Sequence, residues 1–283
     1  MTSARVQVRV DRPPAVRAVP GPHGASGVAR PLATVRLLGP VRIELAGAEV
    51  GGPRWSRARV RSLLALVAME GPCTRRWLCE QLWPDRPGEA ASNNLRVTLS
   101  YLRAAMREVC AAPEAIASDR SRIWLSEAFE WSVDVRHFEG LAVRALTHAS
   151  GPGAERAKAD VLHAALAAYG GELMSQLEVP VHLELERERL GATGVRVASA
   201  LAELLLEQGD HEGALHVACR AAVLDPWSER AGLLVARARA ALGDRTGALH
   251  AVRRCVALDA DLGLAPGREI REVLDALGQD PRR

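Results

Sequence analysis

A repeat of 34 residues in the back half of the sequence restricts the fold more than any other feature. The segment GDHEGALH at residues 209–216 returns as GDRTGALH at residues 243–250, and nine of 17 aligned positions are identical. Small alanines at matched positions, Ala214 and Ala248, allow paired helices to pack closely. Helix pairs of this kind cannot bury their apolar faces alone, so they stack on their neighbours.

The period of 34 residues is that of the tetratricopeptide repeat. No strand pattern follows Val135, and helical segments rich in Leu and Ala are separated by short glycine-containing breaks. The sequence therefore predicts an all-α, tetratricopeptide-like domain over residues 131–277, called the back domain below. The concave surface of such an array binds a peptide or another protein. The alternative is that these helices pack only on each other or on the front of the chain.

Residues 32–130, called the front domain below, combine strands with three helices. Between residues 34 and 50, apolar residues alternate with charged ones, which is the period of a half-buried strand. Ser56 is expected to cap the first helix and Thr74 the second, because Ser and Thr side chains accept hydrogen bonds from free backbone amides.

The third helix, expected over residues 89–107, has two different faces. At about 100° per residue its leucines and Met106 fall on one side and must be buried. The other side carries Arg, Asn and small side chains, the groups that recognise guanine, adenine and the thymine methyl in a major groove. An ordinary solvent-exposed helix face would mix acidic side chains with the basic ones. The candidate DNA-binding residues here are Asn93, Asn94, Arg96, Val97, Ser100, Arg103 and Arg107.

Alternating apolar residues after this helix predict a hairpin over residues 115–125, with its tip at residues 118–121. No glycine marks the turn. Arg120 and Arg122 would lie there, where they can approach phosphates or a minor groove. A hairpin after a reading helix is a wing, so the front domain is predicted to be a winged helix-turn-helix. The fold class is mainly α with a small β component.

The charge of the chain is divided between its halves. Residues 1–130 hold 19 Arg and 12 Asp or Glu, a net +7, whereas residues 131–283 hold 18 Lys or Arg and 22 Asp or Glu, a net −4. A basic front half favours an acidic polymer as its partner. A single lysine, and the lack of GxxxxGK[ST], HExxH and GxSxG motifs, argue against an enzyme.

The remaining composition predicts a cytoplasmic protein without a cofactor. The five cysteines have no metal-ligand spacing and are expected to be reduced, buried thiols. No apolar run approaches the roughly 20 residues of a membrane helix. Residues 1–31, rich in Pro and Gly, are expected to be a disordered tail rather than a secretory signal, and residues 278–283 a second tail.

The order of these parts resembles the Streptomyces antibiotic regulatory proteins and their relatives with a bacterial transcriptional activator domain. Four front stretches look like the OmpR-type DNA-binding domain of that family: LLGPVRIELAGAEV, RVRSLLALVA, CTRRWLCEQLWPD and SNNLRVTLSYLRAAM. Five back stretches look like its activator domain: VDVRHFEGL, AAYGGELM, LELERERL, LDPWSERA and DLGLAPGREI. The wing departs from the family, because Arg122-Ile123-Trp124 stands where a Gly-Tyr pair is common. His182 stands where a Trp is frequent.

The resemblance implies a transcription factor, usually an activator, that binds direct repeats in promoter DNA and recruits RNA polymerase. It assigns the reading helix to residues 93–107 and the wing to residues 118–125. The back domain would then contact RNA polymerase, another protein or a second copy of the chain. Such a regulator would act on the nucleoid. The alternative is a protein-interaction adaptor whose winged domain has lost DNA binding. The polar outer face of the third helix, which has no acid at Asn93, Arg96, Val97 or Ser100, favours the regulator.

Overall fold

The computed structural model describes residues 30–86, 88–111, 113–147, 154–261 and 263–278. The two expected tails lie outside the described residues, apart from Arg30, Pro31 and Gly278. The described chain is mostly helical with a small β component, so the predicted fold class is confirmed at this level.

The front domain begins with a sheet in the order β3-β2-β1-β7. Its strands are β1 Leu32–Arg36, β2 Arg42–Leu45, β3 Ala48–Glu49 and β7 Glu130–Val133. β1 pairs antiparallel with β2 and parallel with β7. The short turn between β2 and β3 contains Gly47, whose φ of 85° suits glycine. The alternation predicted for residues 34–50 is borne out, because Val35, Ile43 and Leu45 point into the core.

Helices between these strands complete the front domain. They are α1 Gly52–Trp55, α2 Ala58–Glu70, α3 Arg75–Leu82 and α4 Gly88–Val109. Thr74 caps α3 as predicted, since its hydroxyl accepts a hydrogen bond from the Trp77 amide at 3.2 Å. α2 ends at Gly71, whose φ is 81°. α2, α3 and α4 pack on one another around a shared apolar core.

The expectation that Ser56 caps α2 is wrong. Ser56 instead ends α1, where its Oγ donates to the Gly52 carbonyl at 3.0 Å. The physical reason is Pro53, which sits in the first turn of α1 and starts a separate short helix. Arg57 therefore occupies the N-cap position of α2, and no side chain caps that helix.

The predicted hairpin forms the second sheet of the front domain. β5 Ile116–Ser118 and β6 Arg122–Leu125 pair antiparallel, and β4 Cys73–Thr74 pairs with β6 on its other edge. Thr74, which caps α3, belongs to β4, so the start of α3 is connected directly to this hairpin. The hairpin β5–β6 is called the wing below.

The back domain is built from helices, each of which packs on the next one in the sequence. They are α5 Asp134–Thr147, α6 Ala154–Ala168, α7 Val181–Glu207, α8 His211–Leu224, α9 Glu229–Ala241, α10 Arg245–Asp261 and α11 Arg268–Gly278. In the described residues none of the helices is long and apolar enough to cross a membrane.

The sequence repeat is also a repeat of local structure. Gly209 and Gly243, both with φ of 81°, end α7 and α9 in the same way. The next residue, Asp210 or Asp244, accepts a hydrogen bond from the amide three positions later, at 3.0 and 2.8 Å. Ala214 and Ala248, in α8 and α10, are fully buried. The identical residues therefore perform identical structural roles 34 positions apart.

The two domains share a continuous core, and their junction is held by Asp134 at the start of α5. Its carboxylate accepts hydrogen bonds from the amides of Leu37 and Leu38, at 2.8 to 2.9 Å. Burial raises the pKa of Asp134, and the hydrogen bonds from these amides oppose that shift. β7 crosses the expected domain boundary at residue 130, so the front sheet includes residues of the back domain.

The loop between α6 and α7 docks on the end of β1. The amides of Gly39 and Met174 donate to the carbonyls of Glu172 and Leu37, at 2.9 and 2.7 Å. A Cβ at Gly170 would lie 2.5 Å from the Leu38 carbonyl oxygen, so only glycine fits there. Arg187 on α7 holds this loop, because its guanidinium donates to three loop carbonyls.

Two of the five cysteines, Cys73 and Cys255, are buried, and the other three are half-buried. Burial, with a smaller contribution from Glu70, raises the pKa of Cys73 to about 12. Burial also raises the pKa of Cys255. Both thiols are therefore protonated and unreactive at neutral pH.

Candidate nucleic-acid interface

One face of α4 is fixed in the core of the front domain. Leu95, Leu99, Leu102 and Met106 are buried, as their helical spacing predicts. This anchoring determines which side chains of the helix face solvent. α4 is also long, with 22 residues, so it presents several turns on its outer side.

The outer side of α4 carries polar and basic side chains. The exposed residues between positions 93 and 107 are called the reading face below, and they are Asn93, Arg96, Val97, Ser100 and Arg107. Val97 is 43% exposed, so its methyl groups are accessible for contact with a thymine methyl. Asn94 lies to the side of this face and is half-buried.

Arg103 lies at the edge of the reading face and is used differently from the others. Its guanidinium donates to the Ile116 carbonyl at 2.9 and 3.1 Å and to the Ser118 hydroxyl at 2.9 Å. It also pairs with Glu114 at 2.9 Å. The structure therefore places Arg103 as the link between α4 and the wing, with its Nε and one of its terminal nitrogens hydrogen-bonded to the protein.

The wing turns without glycine because Asp119 stabilises the tip. Its carboxylate accepts hydrogen bonds from the amides of Ser121 and Arg122, at 2.6 and 2.7 Å. These bonds lower the pKa of Asp119, with the Ser121 amide contributing most. Such side-chain turns are a known use of Asp in loops. Arg120 and Arg122 are exposed on this tip, where the sequence predicted them.

Arg75 connects the start of α3 to the wing, a role that the sequence analysis missed. Its amide donates to the Ser121 carbonyl at 2.8 Å, and its Nε donates to the Asp119 carbonyl at 3.1 Å. Burial lowers the pKa of Arg103, and repulsion from Arg75 and Arg107 adds to the shift. Arginines from α3 and α4 therefore lie near one another on this side of the front domain, together with Glu114, which opposes the shift.

The opposite edge of α4 is bordered by the junction of α1 and α2. The Arg57 guanidinium lies over the Tyr101 ring, 4.6 Å from its centroid. Arg54 forms an ion pair with Glu108, the acid that follows the reading face. Sequence reasoning missed both arginines, although they belong to a basic run from Arg54 to Arg61 that continues into the start of α2.

Within the described residues no group of three or more His, Cys, Asp or Glu is placed to hold a metal ion. The arrangement of α3, α4 and the wing offers hydrogen-bond donors and positive charge.

Residues 133–277 match the family model of the bacterial transcriptional activator domain. The match covers α5 to α11, about half of the chain. The chain belongs to this family. The resemblance seen in the sequence is thereby confirmed, and the bacterial transcriptional activator domain here is the back domain. The family is one of transcriptional regulators and not of enzymes.

The fold of this activator-domain protein is similar to that of a solved structure, "Mycobacterium tuberculosis EmbR in complex with low affinity phosphopeptide". The TM-score is 0.64 at 20% sequence identity, and the match covers 87% of this chain. The chain spans 65% of the length of the EmbR chain. The similarity therefore includes most of both domains at the level of the fold. No curated protein matches the sequence significantly.

Proposed function

We propose that this protein is a sequence-specific transcriptional regulator that binds double-stranded promoter DNA through an OmpR-type winged helix-turn-helix. The observation that carries the proposal is the reading face of α4, which is exposed, has no acid between positions 93 and 107 and lies beside an arginine-bearing wing. Membership of the bacterial transcriptional activator domain family supports the same assignment.

α4 enters the major groove in this proposal, because a helix of about 10–12 Å diameter fits a groove about 12 Å wide. Arg96 donates to a guanine, Asn93 to an adenine, and Val97 contacts a thymine methyl. Arg107 and Asn94 lie further from the centre of the face and contact the backbone. Arg120 and Arg122 on the wing contact phosphates or the adjacent minor groove. Arg103 supports the wing rather than the DNA.

The back domain acts as the effector in this proposal. Its stacked, tetratricopeptide-like helices offer a surface for RNA polymerase, for another protein or for a second copy of the chain. Direct repeats in the promoter would place two copies side by side. The protein then acts in the cytoplasm, on the nucleoid, as an activator.

The proposal is tested by binding of the full chain to DNA duplexes selected from a random library. If about six phosphates are contacted, the logarithm of the binding constant should fall with the logarithm of salt with a slope near −5. A gel-shift or anisotropy series between 50 and 200 mM salt measures it. A chain that binds no duplex even at 50 mM salt would instead support the adaptor function.

Arg96 and Arg120 should respond differently when each is replaced by Ala. Arg96→Ala should weaken the binding free energy for the selected duplex by about 1–3 kcal/mol. It should also relax the sequence preference at one base pair. Arg120→Ala should lower the affinity for the selected duplex and for a random duplex by the same factor, because it removes a contact with the DNA backbone. Repeating the selection with each variant measures both effects. Equal losses on both duplexes for Arg96→Ala would contradict its role in base recognition.

A further inference from the structure

The reading face has two edges that lie symmetrically about its centre. At about 100° per residue, Arg103 and Tyr101 fall roughly 80° to either side of Asn93. The Arg103 edge meets the wing through three hydrogen bonds. The Tyr101 edge meets the start of α2 through Arg57. A major groove likewise has two edges, and each is a strand of phosphates.

Arg57 is exposed at the N-cap position of α2. In the part of the chain that the structure describes, it forms no ion pair, and its contact is with the Tyr101 ring. Its neighbour Arg54 differs, because Glu108 neutralises it. A guanidinium stacked on a ring is held in orientation while its in-plane N–H groups remain available to a phosphate.

We propose that Arg57, held in place by Tyr101, binds a backbone phosphate on the edge of the major groove opposite the wing. This assignment rests on the proposed function, because it requires α4 to lie in the groove. With α4 filling the groove, side chains about 80° from its centre face the phosphates and not the bases. The uncapped amides at the start of α2 lie beside Arg57 and add favourable dipole charge toward the same phosphate.

The test uses the full chain, a duplex selected from a random library and a second duplex of random sequence. Arg57→Gln should reduce the slope of binding against salt by about 0.9, which corresponds to one phosphate. The advantage of the wild type over the variant should then shrink roughly threefold to fourfold between 50 and 200 mM salt. The loss of binding affinity should be the same for both duplexes. Arg253→Gln, which removes an exposed arginine on α10, should leave the slope unchanged.

Tyr101 is a positioning residue in this assignment, and its variants separate orientation from charge. Tyr101→Phe keeps the ring and should bind like the wild type. Tyr101→Leu removes the ring, so Arg57→Gln should have a much smaller effect in that background than in the wild type. Arg57→Lys should recover only part of the lost affinity, since an ammonium group does not stack like a guanidinium. Thermal unfolding of each variant confirms that it is folded.

The outcomes distinguish this inference from the proposed function. If the wild type binds DNA and Arg96→Ala loses specificity while Arg57→Gln keeps the wild-type slope, the Arg57 contact is wrong and the regulator remains. A loss confined to the selected duplex would make Arg57 a base contact and would also overturn the phosphate assignment. A wild type that binds neither duplex overturns both.

Discussion

A chain that ends at Glu130 should fail to fold cooperatively, although residues 32–130 contain the whole reading surface. Truncation removes most of β7, which pairs with β1 along its parallel edge. It also removes Asp134 and the loop that hydrogen-bonds to Leu37 and Gly39. The free edge of β1 and its apolar side chains would then be exposed to water.

The size of this loss is comparable to the stability of an ordinary domain. Leu37 and Leu38 are almost completely buried by the junction, and burial of each such side chain contributes about 1.5–3 kcal/mol. Several backbone hydrogen bonds are lost with them, at about 0.5–1.5 kcal/mol each. Folded domains are stable by only about 5–15 kcal/mol.

Circular dichroism during thermal unfolding measures the effect. A matched chain that ends at Gln208 keeps β7, Asp134, the docking loop and Arg187, which holds that loop, and it should regain a cooperative transition. A sharp transition for the chain that ends at Glu130 would show that the front domain is independent, and the junction would then be only a contact surface.

Asp134→Ala should lower the free energy of unfolding of the full chain by about 2–5 kcal/mol. The reason is that two buried amides, Leu37 and Leu38, lose their acceptor, and unsatisfied buried donors cost about 1–3 kcal/mol each. Asp134→Asn should also destabilise the chain, because its NH₂ group would oppose one of the amide donors.

Denaturant unfolding of the full chain measures this loss. Asp160→Ala, which removes an exposed carboxylate on α6, is the matched control and should change the stability by less than about 0.5 kcal/mol. Wild-type stability for Asp134→Ala would mean that water or a neighbouring group replaces the carboxylate, and that the junction does not depend on it.

Local sequence patterns predicted several parts of the molecule correctly. The spacing of Leu95, Leu99 and Met106 identified the buried side of α4, and Thr74 marked the start of α3. The 34-residue repeat located two equivalent helix turns with the same capping bonds. These features depend on residues close in sequence, so a periodic pattern contains enough information to place them.

The candidate interface was only partly predictable. The sequence placed Arg96, Arg120 and Arg122 on exposed surfaces, and the structure agrees. It also grouped Arg103 with the base-reading residues, whereas the structure commits Arg103 to the wing. Helical spacing gives the direction of a side chain from its axis, but it cannot show which neighbouring element lies there.

The sequence by itself therefore determined the longer helices, the strands of residues 34–50 and 115–125, the repeat and the basic outer face of α4, because each of these is a local or periodic property. It did not reveal α1, β4 or β7. Only the tertiary structure decided that Arg57 stacks on Tyr101 and that Asp134 holds the end of β1. These partners are 44 and about 97 residues apart in the chain. No periodic pattern connects such positions, since they meet only when the packing of whole helices and strands brings them together.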